Sequence, residues 1–138
     1  MLARLDLCKA KGFDGVEFDN VDGYQNDTGF PLTAGDQLQY NTWLANAAHE
    51  RSLAAALKND FAQADVLLPY FDFAITEDCY RYSDCQKLGP FVAAGKAVLD
   101  VEYRGTLRRF CGPVRALGIN VMKKRRSLNA WRGLCPAR

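Results

Sequence analysis

The spacing of apolar residues along this chain changes repeatedly between a strand-like and a helix-like pattern. Short apolar runs of five to eight residues have the length of buried strands. Between them, apolar side chains recur at helical spacing, as Tyr40, Trp43 and Leu44 do, and Thr33 followed by Asp36 resembles the capping box that begins such a helix. The predicted strands are residues 15–19, 53–58, 71–77, 96–103 and 119–123, and the predicted helices are residues 2–12, 34–51, 62–70, 85–94 and 107–117.

Helices and strands alternate through the whole chain, which predicts an α/β fold. Strands separated by helices pair in parallel, and continuous apolar runs indicate strands that are covered on their faces. With 138 residues, 49% of them hydrophobic, and no linker rich in proline or glycine, the chain has room for one domain and one core. We therefore expect a single domain over residues 1–138, with a parallel sheet and outer helices.

The charge distribution is uneven. All 16 acidic residues lie at or before Glu102, whereas ten of the 18 lysines and arginines follow it, so the formal charge is −8 over residues 1–102 and +10 over residues 103–138. A basic end on an acidic body is typical of a nucleic-acid-binding arm, or of two faces of one domain that attract each other. Because no recognition helix and no aromatic-rich basic strip accompany these residues, we expect no nucleic-acid partner.

Five cysteines and one histidine limit the metal and redox chemistry. One histidine cannot build zinc sites of the Cys2His2 or multi-His kind, and no cysteines form a CxxC pair. The separation of Cys79 and Cys85 suits a small disulfide-closed loop, Cys111 and Cys135 could form a second bridge, and buried free thiols are the alternative. A glycosylation sequon at residues 26–28 favours, together with disulfides, a secreted parent protein.

Carboxylate side chains follow the ends of the first four predicted strands. In parallel α/β folds the functional site lies at the carboxyl ends of the strands. Helix capping and loop solvation explain many such acids, but Asp19 and Glu77 each directly end an apolar run. The polar residues at these strand ends are Asp19, Asn20, Asp22, Lys58, Asn59, Asp60, Glu77, Asp78, Asp100, Glu102 and Tyr103.

Paired carboxylates at one edge of a sheet suit glycoside hydrolysis. One carboxyl can protonate the leaving oxygen while the other attacks the sugar carbon or activates water. Nearby Asn20, Tyr24, Asn59 and Tyr103 could stack on a sugar ring or hydrogen-bond its hydroxyl groups. The same carboxylates could instead bind Mg2+ or Ca2+, although residues 19–23 lack the spacing of a calcium-binding loop.

Residues 12–24, Gly-Phe-Asp-Gly-Val-Glu-Phe-Asp-Asn-Val-Asp-Gly-Tyr, resemble the signature strand of the glycoside hydrolase family 114 barrels. The resemblance covers about residues 2–135 and continues, in the family's order, through residues 32–33, 36–41, 57–60, 77–85, 95–96 and 101–103. Proteins of this family are similar to endo-α-1,4-polygalactosaminidases, and some are described as α-galactosidases. The resemblance therefore implies a TIM-type (β/α)8 barrel that hydrolyses α-linked polysaccharides containing galactosamine or galactose.

The resemblance also implies roles for individual residues. It makes Asp19 the nucleophile or base and Glu77 the general acid, and it places the family's cysteine pair on Cys79 and Cys85. Phe18 departs from the proline expected before the aspartate, a local change that leaves the carboxylate in place. The predicted substrate-binding residues are Asn20, Asp22, Tyr24, Asn59, Glu102 and Tyr103.

A TIM-type barrel needs about 250 residues, so the chain supplies part of one. Its five predicted strands match the fourth to the eighth, and we expect an open, curved sheet with valine, isoleucine and leucine side chains exposed on its concave face. We expect no activity from the fragment alone, and a non-catalytic carbohydrate-binding remnant is the alternative function. The chain shows no signal peptide, and its longer parent is expected to be a secreted or cell-surface monomer that acts on a polysaccharide, with no metal, cofactor or membrane partner.

Overall fold

The computed structural model describes residues 1–136, which contain six strands in one sheet. The strands are β1 (Gly15–Phe18), β2 (Ala54–Lys58), β3 (Phe73–Glu77), β4 (Val98–Glu102), β5 (Asn120–Lys124) and β6 (Arg132–Leu134). Their order in the sheet follows the chain from β1 to β6. The first five strands pair in parallel, as predicted, and β6 pairs antiparallel with β5.

Helices precede or connect the parallel strands and cover one face of the sheet. They are α1 (Leu2–Ala10), α2 (Ala34–His49), α3 (Ala64–Leu67), α4 (Cys79–Tyr82), α5 (Gly89–Ala93) and α6 (Leu107–Ala116), with 3-10 turns at Gly23–Gln25 and Cys85–Leu88. The predicted capping box begins α2: the Thr33 hydroxyl accepts the N–H of Asp36, and the Asp36 carboxylate accepts the N–H of Thr33. The buried side of α2, which includes Leu44 and Ala48, packs against β2.

Strand register decides which side chains face the helices. Phe18, Leu57, Ala74 and Val98 are successive register partners, and all four are buried between the sheet and the helices. Because side chains along a strand alternate between faces, the residues between them point the other way. This second face, which we call the inner face, carries Glu17, Ala56, Lys58, Phe73, Ile75, Glu77, Leu99, Val101 and Met122.

The sheet is open, as the sequence predicts for part of a barrel. Strands β1 and β6 form the two edges of the described sheet. Apart from Ala56, which is buried, the apolar side chains of the inner face are half-buried rather than fully exposed, since neighbours such as Ile75 and Leu99 lie side by side and shield each other. A partial TIM-type barrel therefore describes the fold.

Three local predictions differ from the structure. The helix expected over residues 62–70 is helical over Ala64–Leu67, and residues 78–84, expected as a loop, contain α4. Asp78 has a φ of 55° and begins that short helix directly after β3. Residues 132–134, expected as coil, form β6, which a three-residue segment with a central glycine does not signal by alternation.

Two disulfide bonds link Cys79 to Cys85 and Cys111 to Cys135, with Cα atoms 4.8 Å and 5.7 Å apart. Both predicted pairings are confirmed, and among the described residues Cys8 is a free thiol. Within residues 1–136, no helix has both the length and the apolar character that a membrane span requires.

Candidate active site

Three adjacent strands bring charged side chains together at their carboxyl ends. Asp19 directly follows β1, Lys58 ends β2, and Glu77 ends β3. The Nζ atom of Lys58 lies 3.2 Å from Oδ1 of Asp19 and 3.3 Å from Oε2 of Glu77. The two carboxylate oxygens can therefore be no farther apart than the sum of these distances, 6.5 Å. The two acids that the sequence singled out thus converge on one lysine at the inner face.

The three groups differ in their contact with solvent. The side chain of Lys58 is 4% exposed, whereas those of Asp19 and Glu77 are 48% and 37% exposed. Burial lowers the pKa of Lys58, but its hydrogen bond to Asp19 and the charge of Glu77 outweigh burial, so the pKa is raised. The site therefore consists of two accessible carboxylates that share one buried, charged ammonium group.

Glu17 adds a third carboxyl group to this cluster. It lies on β1 two residues before Asp19, so it points to the same face. Burial raises the pKa of Glu17, Lys58 lowers it, and the charges of Asp19 and Glu77 raise it further. Sequence reasoning noted Lys58 at a strand end but gave it no role, and it did not single out Glu17, although alternation along the strands places both on the side of Asp19 and Glu77.

Tyr103 follows β4 and touches the site directly. Its hydroxyl donates a hydrogen bond to Oε1 of Glu77, and burial together with this bond raises the pKa of Tyr103. The backbone N–H of Tyr103 donates to Oδ1 of Asp78 at 2.9 Å, and the Arg126 guanidinium lies 5.3 Å from the centre of its ring. Asp78 therefore holds the backbone of Tyr103 and Arg126 lies over its ring, while its hydroxyl meets Glu77.

The loop after β1 carries three predicted substrate-binding residues. Asn20 is exposed, and Asp22 and Tyr24 are partly buried. The Tyr24 hydroxyl donates to Oδ1 of Asp60 at 3.3 Å, and the side-chain amide of Asn41 donates to Oδ2 of the same carboxyl at 3.0 Å. Burial raises the pKa of Asp60 to about 6. Asp60 thus ties this loop to the end of β2, a role that sequence reasoning missed.

Asn59 and Glu102 hold the backbone of the site rather than project freely from it. The side-chain oxygen of Asn59 accepts the N–H of Glu77 at 3.2 Å, so it fixes the end of β3. Glu102 is 1% exposed, and its Oε1 accepts the N–H of Tyr80 at 2.7 Å. The prediction that Glu102 binds substrate therefore disagrees with the structure. Alternation along β4 turns its side chain toward the helices and away from the inner face.

Asp78, Asp100 and Glu102 form a second group of acids on the helix-facing side, which we call the buried carboxyl cluster. Each of the three is at most 3% exposed. Burial and then the charge of Glu102 raise the pKa of Asp100 to about 8. Cys79, Cys85 and Asp100 place potential metal-ligand atoms within 4.8 Å of one another, but the disulfide bond leaves neither sulfur as a thiolate.

A cleft of about 240 Å3 opens beside Asp19, between α1, β1 and α2. Glu17, Asp19 and Asn20 line it. Its volume is below the roughly 300–1,000 Å3 that is usual for small-molecule pockets. The carboxylates therefore lie at an open edge and not in an enclosed cavity, an arrangement that suits an extended ligand.

Parallel βα units with accessible carboxylates at the carboxyl ends of their strands are the arrangement of the TIM-type barrel enzymes. The sequence pattern of glycoside-hydrolase family GH114 matches residues 1–138, and the chain belongs to that family. No curated protein sequence matches the chain.

Two solved structures share the fold. The crystal structure of Aspergillus fumigatus Ega3 in complex with galactosamine is similar at 32% identity and a TM-score of 0.86, over 98% of this chain and 59% of that one. The glycoside hydrolase domain of PelA from Pseudomonas aeruginosa is similar at 15% identity and a TM-score of 0.66, over 99% of this chain and 62% of that one, a likeness of fold alone. The chain thus spans about three fifths of the length of each.

Proposed function

We propose that this chain carries the catalytic carboxylates of a glycoside hydrolase that cleaves α-linked galactosamine polysaccharide, with galactose-containing polymers as the alternative substrate. The observation that carries the proposal is the convergence of Asp19 and Glu77 on Lys58, with both carboxylates open to solvent. Membership of family GH114 and the likeness to a structure that holds galactosamine support the same chemistry and sugar.

The separation of the carboxylates favours hydrolysis with retention of configuration. Retaining glycosidases place their two carboxyl groups about 5–5.5 Å apart, whereas inverting enzymes need about 6.5–9.5 Å to admit a water between them. The Lys58-bound oxygens of Asp19 and Glu77 are at most 6.5 Å apart, a limit that admits the retaining separation and only touches the lower end of the inverting range. Asp19 acts as the nucleophile, and Glu77 acts first as the acid and then as the base.

Substrate contacts are proposed for four residues around the carboxylates. Asn20 and Asp22 offer hydrogen bonds from the loop after β1, and Tyr24 and Tyr103 offer aromatic rings near the carboxylates. Asn59 acts indirectly, because its side chain holds the backbone of Glu77.

Electrostatics favour a cationic polymer. The inner-face cluster has three carboxyl groups, from Glu17, Asp19 and Glu77, against the single ammonium of Lys58. Galactosamine units with free amino groups are positively charged, so the field of this cluster attracts and orients them. A neutral galactose polymer gains no such attraction.

We also propose that the 138 residues form one domain that does not turn over substrate alone. The inner face and the edge of β1 are open, and the relatives extend well beyond the matched region. The two disulfide bonds favour a secreted or cell-surface protein. The same proposal makes the longer parent protein a monomer.

The test measures release of reducing ends from an α-1,4-linked galactosamine polymer, its N-acetylated form and an α-linked galactose polymer. The whole protein that contains this chain and the 138-residue chain are assayed side by side, and proton NMR follows the anomeric configuration of the first product. Hydrolysis of the galactosamine polymer by the whole protein, with retention, supports the proposal. Saturable binding without turnover by the whole protein would instead favour the carbohydrate-binding remnant.

A further inference from the structure

Lys58 lies between the two carboxylates of the proposed reaction. It ends β2, the strand between those that carry the two catalytic carboxylates, and its side chain is 4% exposed. Its Nζ atom reaches Asp19 on one side at 3.2 Å and Glu77 on the other at 3.3 Å. A buried ammonium group in this position needs partners, and the two accessible carboxylates supply them.

The charged and titratable groups around Lys58 come from three other strands. Glu17 and Asp19 face it from β1, Glu77 faces it from β3, and Tyr103, which follows β4, hydrogen-bonds to Glu77. Their combined charge keeps the lysine protonated despite its burial, because the pKa of Lys58 is raised. The ammonium is therefore a fixed positive charge midway between the reacting groups.

The proposed reaction moves one negative charge between those groups. In the first step the Asp19 carboxylate bonds to the anomeric carbon, the bond from that carbon to the leaving oxygen breaks, and the proton of Glu77 goes to the leaving oxygen. Asp19 is then a neutral ester and Glu77 is the carboxylate. In the second step Glu77 takes a proton from water, the water oxygen bonds to the anomeric carbon, and the ester bond breaks to restore the Asp19 carboxylate.

We propose that Lys58 is a positioning residue that acts as the shared counter-ion for this moving charge. It holds Asp19 and Glu77 at a fixed separation and stays hydrogen-bonded to whichever of them is negative. Because its two contacts already exist before substrate binds, no rearrangement is needed when the charge passes from one carboxyl to the other. The inference rests on the proposed function, since the charge moves only if Asp19 and Glu77 react in this way.

The first test compares Lys58→Gln and Lys58→Arg in the whole protein. Lys58→Gln removes the charge, and we expect kcat to fall about 100-fold, with KM changed by less than about threefold. The acidic limb of the pH–rate profile is expected to move to higher pH by roughly one unit, because an ammonium beside a carboxyl favours its charged form. Lys58→Arg keeps the charge. Its kcat is expected to be at least about tenfold higher than that of Lys58→Gln, and its pH–rate profile is expected to stay near that of the wild type.

Lys96→Gln is the matched control. Lys96 is also partly buried, but its Nζ atom donates to the carbonyl oxygens of Leu68 and Phe71, away from the carboxylates. We expect this variant to keep the wild-type kcat and pH–rate profile. A Lys58→Gln variant that folds, as judged by circular dichroism, and also keeps both would overturn the inference.

A second measurement separates this inference from the proposed function. Carbon-13 NMR of the carboxyl groups, without substrate, follows the titration of the inner-face acids in the wild type and in Lys58→Gln. We expect the pKa of Glu17, which Lys58 lowers, to rise by about one unit in the variant. If the whole protein hydrolyses none of the sugars, the proposed function fails while this titration still tests the lysine. Unchanged titration curves overturn the counter-ion role, and if Lys58→Gln does not fold, Lys58→Met, of similar length and volume, replaces it in both experiments.

Discussion

Two groups of acids lie toward the carboxyl ends of neighbouring strands, one on each face of the sheet. On the inner face, Asp19 and Glu77 are 48% and 37% exposed and share a lysine. On the other face, Asp100 and Glu102 are 1% exposed and accept hydrogen bonds from the backbone of α4. One group is accessible and paired with a positive charge, whereas the other is enclosed by neighbouring protein.

The difference between the groups follows from the alternation of side chains along each strand. Glu77 and Asp78 are neighbours in sequence, yet one points to the inner face and the other is 3% exposed beneath it. The carboxyl groups are chemically alike, so their surroundings decide what they do. Open carboxylates are available to a substrate, while enclosed ones are held in the protonated form or used as hydrogen-bond acceptors.

The largest expected effect comes from removing an inner-face carboxylate. In the whole protein, Asp19→Asn or Glu77→Gln is expected to lower kcat roughly 1,000-fold or more, because each group acts in the transition state. The free energy of unfolding is expected to fall by about 1–3 kcal/mol, because the buried Lys58 loses one of its two carboxylate partners and keeps the other. Reducing-end release and urea unfolding measure the two quantities.

The matched variant for this experiment is Asp100→Asn, which makes the same chemical change on the other face. It is expected to retain kcat within about threefold, as Asp100 is enclosed between the sheet and α4. A large loss of kcat in Asp100→Asn, or wild-type kcat in Glu77→Gln, would contradict the assignment of catalysis to the inner-face carboxylates and not to the buried ones.

The second prediction concerns the disulfide bonds, one of which borders the buried carboxyl cluster. The Cys111–Cys135 bridge closes a loop with a sequence separation of 24, and the Cys79–Cys85 bridge closes one with a separation of six. Loop-closure entropy gives about 3.5 kcal/mol of stabilisation for the longer loop and about 2.4 kcal/mol for the shorter.

Replacing both cysteines of a pair by alanine, one pair at a time, tests this order by urea unfolding. The variant without the Cys111–Cys135 bridge should lose more stability. A larger loss for the Cys79–Cys85 variant would mean that the short bridge mainly holds α4, and its backbone donors, against the buried carboxyl cluster.

Most of the fold was predictable from the sequence because its parallel strands are apolar runs. Strand β2 is buried along nearly its whole length, and its residues include Ala55 and Leu57, so the pattern is plain. Strand β6 is three residues long and partly exposed, and its place in the sheet depends on pairing with β5 and on the nearby disulfide at Cys135. Such contacts between distant segments leave no local periodicity.

The sequence predicts which strand ends carry the site residues, but not which face of the sheet each side chain occupies. Asp19 and Glu77 follow from apolar runs that end in an acid and from the family resemblance, and the structure brings them together. Glu102 was assigned to the same site because it also ends a strand, yet alternation sets it with Val98 and Asp100 on the helix side. In a buried parallel strand both faces are covered, so polarity alone does not show which way an acid points.

The third prediction concerns how the protonation of Asp100, in the buried carboxyl cluster, makes stability depend on pH. Burial raises the pKa of Asp100 to about 8 from an ordinary value of 3.8, so the folded protein keeps a proton that the unfolded chain has lost. Stability is therefore greatest below about pH 4 with respect to this group, and it falls as pH rises toward 8. Glu102, whose pKa burial also raises, acts in the same direction.

Asn at position 100 cannot ionise, so Asp100→Asn is expected to lose less stability than the wild type between pH 5 and pH 9. In urea unfolding, the free energy of unfolding of the wild type relative to that of the variant should be lower at pH 9 than at pH 5 by at least about 1 kcal/mol. Parallel behaviour at the two pH values would mean that Asp100 is ionised in the folded protein.

The smallest effect is expected from replacing Arg126, which contacts both Tyr103 beside the catalytic carboxylates and Asp78 of the buried carboxyl cluster. Its guanidinium lies over the Tyr103 ring and 3.3 Å from Oδ2 of Asp78, but its own side chain is 65% exposed. Arg81 also approaches Asp78, at 3.7 Å, so the charge of Asp78 keeps a partner when Arg126 is replaced. We expect Arg126→Gln to lower the free energy of unfolding by less than about 1 kcal/mol, because exposed ion pairs contribute little. A loss above about 2 kcal/mol in urea unfolding would show that Asp78 depends on Arg126, and that the buried carboxyl cluster is stabilised from the basic end of the chain and not by the backbone donors around it.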